Sequence, residues 1–156
     1  MQNYVLNILI VGGKKKTNNK LSEKNIILED FDFSYFKQIK EENNWIAFNY
    51  PNCFNNKYFC IVLNGKKIGI IGICDNDTDK NLLHVIIESG YRGQKYATKA
   101  SYALLYRLNL PYLTLTIDID NTPSLKAFSK DTNIKQISSD IYEKKYHKKK
   151  YILMGF

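Results

Sequence analysis

The sequence predicts one α/β domain, and three observations carry that expectation. Asn64-Gly65 sits between two apolar runs, Leu-Leu-His-Val-Ile-Ile at 82–87 leads through a glycine-bearing turn into an amphipathic stretch ending at Leu108, and residues 112–119 alternate apolar with polar side chains. The first is a hairpin signal, the second a strand feeding a helix, and the third a strand buried on one face. A length of 156 residues fits one unit spanning 1–156, because separate cores arise in longer chains.

Taken in chain order, residues 3–11 and 25–29 read as strands and Phe31 to Trp45 as a helix. Residues 57–63 and 67–74 should pair about a two-residue type I′ turn, since both Asn64 and Gly65 tolerate positive φ. That register sets Leu63 against Lys66 and Cys60 against Gly69, so Cys60 does not face Cys74. The run Asp75-Asn-Asp-Thr-Asp79 lacks the glycine and distal glutamate of a calcium loop and reads as a solvated turn. Between Gly93 and Leu108, the residues Ala97, Ala100, Ala103, Leu104 and Leu108 share one helical face. Pro123 suits the first turn of a short helix over Ser124 to Lys130, capped by Thr122 or Asn121. Tyr151 to Met154 can close the sheet, and the lysine run from Lys144 to Lys150 reads as a solvated hairpin tip or strand edge.

Composition excludes several classes of protein. Apolar residues make up 44%, with 12 Tyr, 8 Phe and one Trp, which is too much core material for a disordered chain. The longest apolar stretch, Val5 to Val11, is far short of the ~20 residues of a membrane-spanning helix. Lys14, Lys15 and Lys16 follow that stretch instead of preceding it, unlike a secretory signal, so the expected location is the cytoplasm. The 3 cysteines, Cys53, Cys60 and Cys74, contain no Cys-x-x-Cys pair and are expected to be independent reduced thiols, with no metal site. An excess of 23 Lys and Arg over 15 Asp and Glu leaves +8, which favours an anionic partner.

The turn Tyr91-Arg-Gly-Gln-Lys-Tyr-Ala-Thr98 has a definite physical capacity. At a helix start successive N–H groups point outward without intrahelical acceptors and the macrodipole adds positive potential, so a pyrophosphate can be held there, with Arg92 and Lys95 adding charge. The segment Glu88 to Ala100 resembles the acetyl-CoA signature, Arg/Gln-x-x-Gly-x-Gly/Ala, of the GNAT superfamily of N-acetyltransferases. Further on, Asp118 to Lys130 is similar to the Asn-x-x-Ser segment that follows the family's fifth strand. Tyr-Arg-Gly-x-x-Tyr-Ala-Thr-x-Ala looks most like the branch containing ribosomal-protein N-terminal acetyltransferases.

The resemblance implies a mostly antiparallel, twisted sheet of six or seven strands with helices on both faces and a splayed strand pair at 82–87 and 112–119. It implies acetyl-CoA as cosubstrate. Val85, Ile86 and Ile87 would offer backbone to the pantetheine arm, while Gly93, Gln94, Lys95, Tyr96, Ala97 and Thr98 would hold the pyrophosphate beside Arg92. Asn121, assisted by Ser124, would bind the pantetheine. The partner would be an amine-bearing acceptor whose identity the sequence does not reveal, with no membrane partner, and a homodimer is left open.

Three departures from the family pattern bear on chemistry. Lys95 occupies the usual central glycine, where a helical φ would let it fit. Phe128 stands where many members place a tyrosine acid, and Thr116 where some have a glutamate base. A coenzyme A thiolate, with a thiol pKa of roughly 8.5, can leave without an acid. Deprotonating a lysine amine at pH 7 costs about 4.6 kcal/mol, against about 1–1.4 for an α-amine, so a missing base leans toward acceptors of low amine pKa. His84, beside the expected thioester, is the candidate catalytic base. Glu88 is read as a structural partner of Arg92, and His147 as a solvated residue. Two alternatives stand beside N-acetyl transfer: a non-catalytic coenzyme A or protein-binding module of the same fold, and a nucleic-acid binder. Charge and the tyrosines around Lys144 to Lys150 motivate the last, and the absence of a legible nucleic-acid module opposes it.

Overall fold

The structure is a computed structural model that describes residues 25–42 and 54–155, with side chains at 25–39 and 54–155. The expected strand at 3–11, Lys14 to Lys16 and Cys53 lie outside the described residues. The elements run β1 (Ile26–Asp30), α1 (Phe33–Glu42), β2 (Phe54–Leu63), β3 (Lys66–Asp75), β4 (Leu82–Ile87), α2 (Tyr96–Leu108), β5 (Tyr112–Asp118), α3 (Thr122–Phe128), β6 (Ile134–Gln136), α4 (Asp140–Tyr146) and β7 (Lys148–Met154). A short 3-10 turn, Ser89–Tyr91, joins β4 to the loop before α2. The strands form one seven-stranded sheet in the order β1-β2-β3-β4-β5-β7-β6, in which only β4 and β5 run parallel. This is the expected mixed, mostly antiparallel sheet with helices on both faces. No helix among the described residues is long and apolar enough to cross a membrane.

The β2–β3 hairpin turns at Asn64 and Gly65, with φ of 51° and 78°, as a type I′ turn requires. Leu63 opposes Lys66 as expected, but the register then slips: Val62 faces Lys67 and Ile61 faces Gly69, leaving Ile68 as the extra residue of a β-bulge. Cys60 consequently faces Ile70, not Gly69. The bulge has a packing reason, because it brings Ile68 into the same cluster as Ile71 and Ile73, which strict alternation would forbid. Cys60 is a free buried thiol, whereas Cys74 is disulfide-bonded, so the expectation of independent thiols fails there. The hairpin register had excluded only Cys60 as its partner.

Burial divides between the two faces. On one, Ile61, Ile71, Leu83, Leu115 and Leu153 pack with Ala100 and Leu104 of α2 and with Phe128 of α3. On the other, Ile70 and Ile86 pack with Phe36 and Ile39 of α1. The lysine run is not a hairpin tip: it spans the last turn of α4 and the start of β7, where Lys148 to Lys150 pair with β5 and lie outside the β6–β7 ladder. Its lysines meet acids, Lys148 with Asp118 at 3.8 Å, Lys149 with Glu143 at 3.9 Å, and Lys150 with Asp79 in a largely buried pair. The helix expected at Ser124–Lys130 starts at Thr122 and ends at Phe128, because Asn121 accepts the Ser124 N–H and sets the start.

One row across three strands explains a glycine. Tyr58, Gly72 and His84 are successive cross-strand neighbours, and the absent side chain at Gly72 lets the Tyr58 ring lie over it and reach His84. A methyl group at Gly72 would overlap both that ring and the Lys57 carbonyl, and the backbone cannot yield as a flexible side chain would. Gly72→Ala is therefore expected to lose about 2–3 kcal/mol, a fall in Tm of roughly 4–9 °C. Thermal melting followed by circular dichroism checks this, and an unchanged Tm would show that the ring moves freely.

Candidate active site

The site begins where two neighbouring strands part. β4 and β5 are joined by a single register pair, Leu82 with Thr114. At that base Thr114 donates its N–H to the Asn81 carbonyl at 3.0 Å and its hydroxyl to the Lys80 carbonyl at 2.9 Å, while Asn81 Nδ2 donates to the Tyr112 carbonyl at 3.2 Å. Beyond it no further β4–β5 pair forms, so Val85 to Ile87 face a gap on the side away from β3. The two strands run parallel, and α2 follows β4 after a loop.

That loop is built to present donors. Arg92 to Lys95 are exposed, Gly93 has φ of 76°, and Lys95, the N-cap of α2, has φ of 62° with no side-chain cap. The first N–H bonded back into the chain is that of Lys99, to the Lys95 carbonyl at 3.1 Å. Among the described residues, nothing accepts the N–H groups of Gly93 to Thr98. Six amides and a helix N-terminus make a seat for an anion. Lys95 does not take the right-handed helical φ expected of it: it keeps the left-handed conformation suited to glycine, which is strained for a residue with a Cβ.

Other side chains of the region have fixed duties. Arg92 Nε donates to the Ile87 carbonyl at 2.8 Å, tying the loop to the end of β4. Glu88 accepts from the Tyr35 hydroxyl at 2.7 Å. The Thr98 hydroxyl donates to the Ala127 carbonyl at 3.4 Å, linking α2 to α3. Asn121 caps α3 by accepting the Ser124 N–H on Oδ1 at 3.2 Å, which leaves its Nδ2 to donate elsewhere. Phe128 is buried in the main core and Thr116 is half-buried opposite Lys150; neither offers a proton-transfer group.

His84 lies on the α1 face of β4, 8% exposed, with Tyr58 Oη 2.9 Å from Nδ1 and Cys74 Sγ 3.9 Å from Nε2. The Tyr58 and His84 rings are nearly parallel, at 14°. Burial pushes the imidazole down to about 4. Protonating it at pH 7 then costs about 4 kcal/mol, so this environment does not favour His84 as the acceptor of an amine proton. The other histidine, His147, is exposed as expected, and its Nε2 lies 2.7 Å from Asp120 Oδ2, past the end of β5. The antiparallel β5–β7 ladder, in which Asp118 opposes Lys148, brings these residues together, and no local pattern announces it.

Comparison with known proteins places these elements. Residues 27–130 match the family profile described as the acetyltransferase (GNAT) domain. No curated protein sequence matches the chain significantly. Among solved structures, an acetyltransferase from Agrobacterium tumefaciens is similar at 18% identity and a TM-score of 0.60, covering 90% of this chain and 98% of its own. The Campylobacter jejuni N-acetyltransferase PseH, in complex with acetyl coenzyme A, is similar at 14% identity and 0.54, covering 83% and 98%. A variant of spermidine N-acetyltransferase SpeG from Vibrio cholerae is similar at 15% and 0.57, covering 83% and 93%.

Two outcomes follow from this site. A histidine near 4 when folded and about 6.5 when unfolded binds fewer protons in the native state, so its contribution is whole above pH 6.5 and is lost as pH falls toward 4. Urea titrations at pH 7, 5.5 and 4.5 should show a loss of about 2.4 kcal/mol from this residue between the first and the last, and His84→Gln should flatten the dependence by that amount. Lys95→Gly should relieve the left-handed strain and raise stability by up to about 1 kcal/mol in the same measurement, whereas Lys95→Val should lower it.

Proposed function

The chain belongs to the GNAT acetyltransferase family, and from that premise we propose that it transfers an acetyl group from acetyl-CoA to a primary amine. The observation that carries this reading is the β4–β5 splay opening onto the unaccepted amides of Gly93 to Thr98. The pyrophosphate would rest on those amides with Arg92 and Lys95 nearby. The pantetheine arm would lie along Val85, Ile86 and Ile87 as an added strand, and Asn121 Nδ2 would donate to it from the far side. Ser124 is engaged through its backbone in the same cap and would complete that wall.

The reaction in this reading is direct. The amine attacks the thioester carbonyl, a tetrahedral adduct forms, and the thiolate leaves without a covalent enzyme intermediate. Phe128 cannot protonate sulfur, which costs little given a thiol pKa of roughly 8.5. Rate then rests on holding amine and thioester together and on backbone N–H groups near Val85 to Ile87 facing the oxyanion. An α-amine needs about 1–1.4 kcal/mol to be neutral at pH 7, against about 4.6 for a lysine. Together with the Tyr-Arg-Gly-x-x-Tyr-Ala-Thr sequence, like that of the ribosomal-protein N-terminal acetyltransferase branch, this favours a protein or peptide α-amine as acceptor. The Thr116 and Phe128 substitutions support one competing reading, a coenzyme A-binding module without turnover.

Acetyl-CoA at about 100 times its Kd should stabilise the protein by about 2.7 kcal/mol, visible as a rise in Tm. Gly93→Val, which forces a Cβ onto a φ of 76°, should weaken binding at least about tenfold, or about 1.4 kcal/mol. An unchanged Kd would put the phosphates elsewhere. Thiol release should be faster with α-amine peptides than with α-acetylated lysine peptides. Tight acetyl-CoA binding with no release for any amine would replace transferase with binder.

A further inference from the structure

Charge is not spread evenly along this chain. Residues 25–121 carry 10 lysines and arginines against 11 acidic residues, whereas residues 122–155 carry 8 lysines against 3 acids. The second stretch supplies α3, β6, α4 and β7, which belong to the β5-β7-β6 end of the sheet. Lys148, Lys149 and Lys150 are committed to acids there. Lys126, Lys130, Lys135, Lys144 and Lys145 are exposed, and among the described residues none of them meets an acid.

The same end exposes apolar and aromatic side chains. Ile137 and Tyr146 are each 50% exposed and Ile141 is 80% exposed. Lys144 and Lys145 follow Ile141 by three and four residues and so share its side of α4. Tyr142 packs against Tyr146 with ring centroids 4.8 Å apart, which holds the exposed ring in place, and Lys145 Nζ lies 5.0 Å from the Tyr146 centroid. Tyr151, the next tyrosine along, is buried in the main core and takes no part.

We propose that α4 and the segment leading into it form a docking face for a single-stranded nucleic acid, a function separate from acetyl transfer. Lys144 and Lys145 meet phosphates, and the other three free lysines add to the positive field at this end of the molecule. An unpaired base stacks on the held ring of Tyr146, and Ile137 and Ile141 offer apolar contact to its neighbours. A duplex fits less well, because its bases are already stacked on one another. So does a second copy of the chain, since pairing α4 with its twin would gather four lysines about two isoleucines.

The test is fluorescence anisotropy of a labelled oligouridine of about 12 nucleotides with the full chain at about 50 mM salt. Binding should be tighter than about 10⁻⁴ M and should weaken steeply with salt. Lys144→Gln combined with Lys145→Gln should make the slope of log affinity against log salt shallower by about 1.4, at about 0.7 for each phosphate of a single strand. Tyr146→Ala should weaken binding at least about fivefold and Tyr146→Phe should not, because the ring alone stacks. These side chains are exposed, so Tm and the rise in Tm with acetyl-CoA should hold in every variant. Absence of binding overturns the proposal, and so does a double lysine variant with the parent's slope, which would assign the phosphates to other lysines such as Lys14 to Lys16. Polyphosphate of equal charge, compared on the unaltered chain, should bind more weakly than oligouridine; equal affinity would reduce the face to charge alone and overturn it. Capture by phosphatidylserine vesicles without binding of oligouridine would make it a lipid surface and overturn it as well.

Discussion

Everything that could make this chain an acyltransferase depends on two parallel strands being tied at one end and free at the other. The tie is dense: the Thr114 amide and hydroxyl, the Asn81 side chain, and the Lys150–Asp79 ion pair all converge at the base of β4 and β5. The rest of each strand is held from its outer side, β4 by β3 and β5 by β7. A sheet so anchored can leave backbone groups unsatisfied in the gap, because the strands cannot collapse onto one another without breaking their outer ladders. Unmade hydrogen bonds in a fixed place are a binding capacity.

The start of α2 extends the same logic. Amides from Gly93 onward lack acceptors because the chain passes through two left-handed residues before the helix settles, and the second of them is a lysine. Local strain of this kind persists where neighbours hold it: Arg92 ties the loop to β4, and Thr98 ties the first turn to α3. Glycine would relax the position, but lysine adds a charge beside the proposed phosphate seat.

The other face of the sheet has a different economy. A tyrosine, a glycine and a histidine form a polar row under α1, with the histidine neutral because it is buried. Its hydrogen bond to Tyr58 satisfies it structurally, which fits packing better than proton transfer. The exposed histidine at the end of β5 has the opposite character, reaching a carboxylate at the rim of a cavity.

Local chemistry made much of this legible in the sequence. Asn64-Gly65 specified its turn because only such residues accept two positive φ values in succession, the period of residues 112–119 specified a strand, and the glycine-bearing turn after residues 82–87 marked the approach to a helix. Asn121 was readable as a cap. Features that depend on register between distant strands were not. The bulge at Ile68 brings that residue into the cluster of Ile71 and Ile73, the lysine run is divided between α4 and β7 at the left-handed His147, and Asp120 meets His147 because the end of β5 pairs with the start of β7. The protonation state of His84 likewise follows from how much of the fold covers it, and Lys95 keeps its left-handed φ against its own preference. A side chain's type is written in the chain, but its partners and its solvent are set by packing.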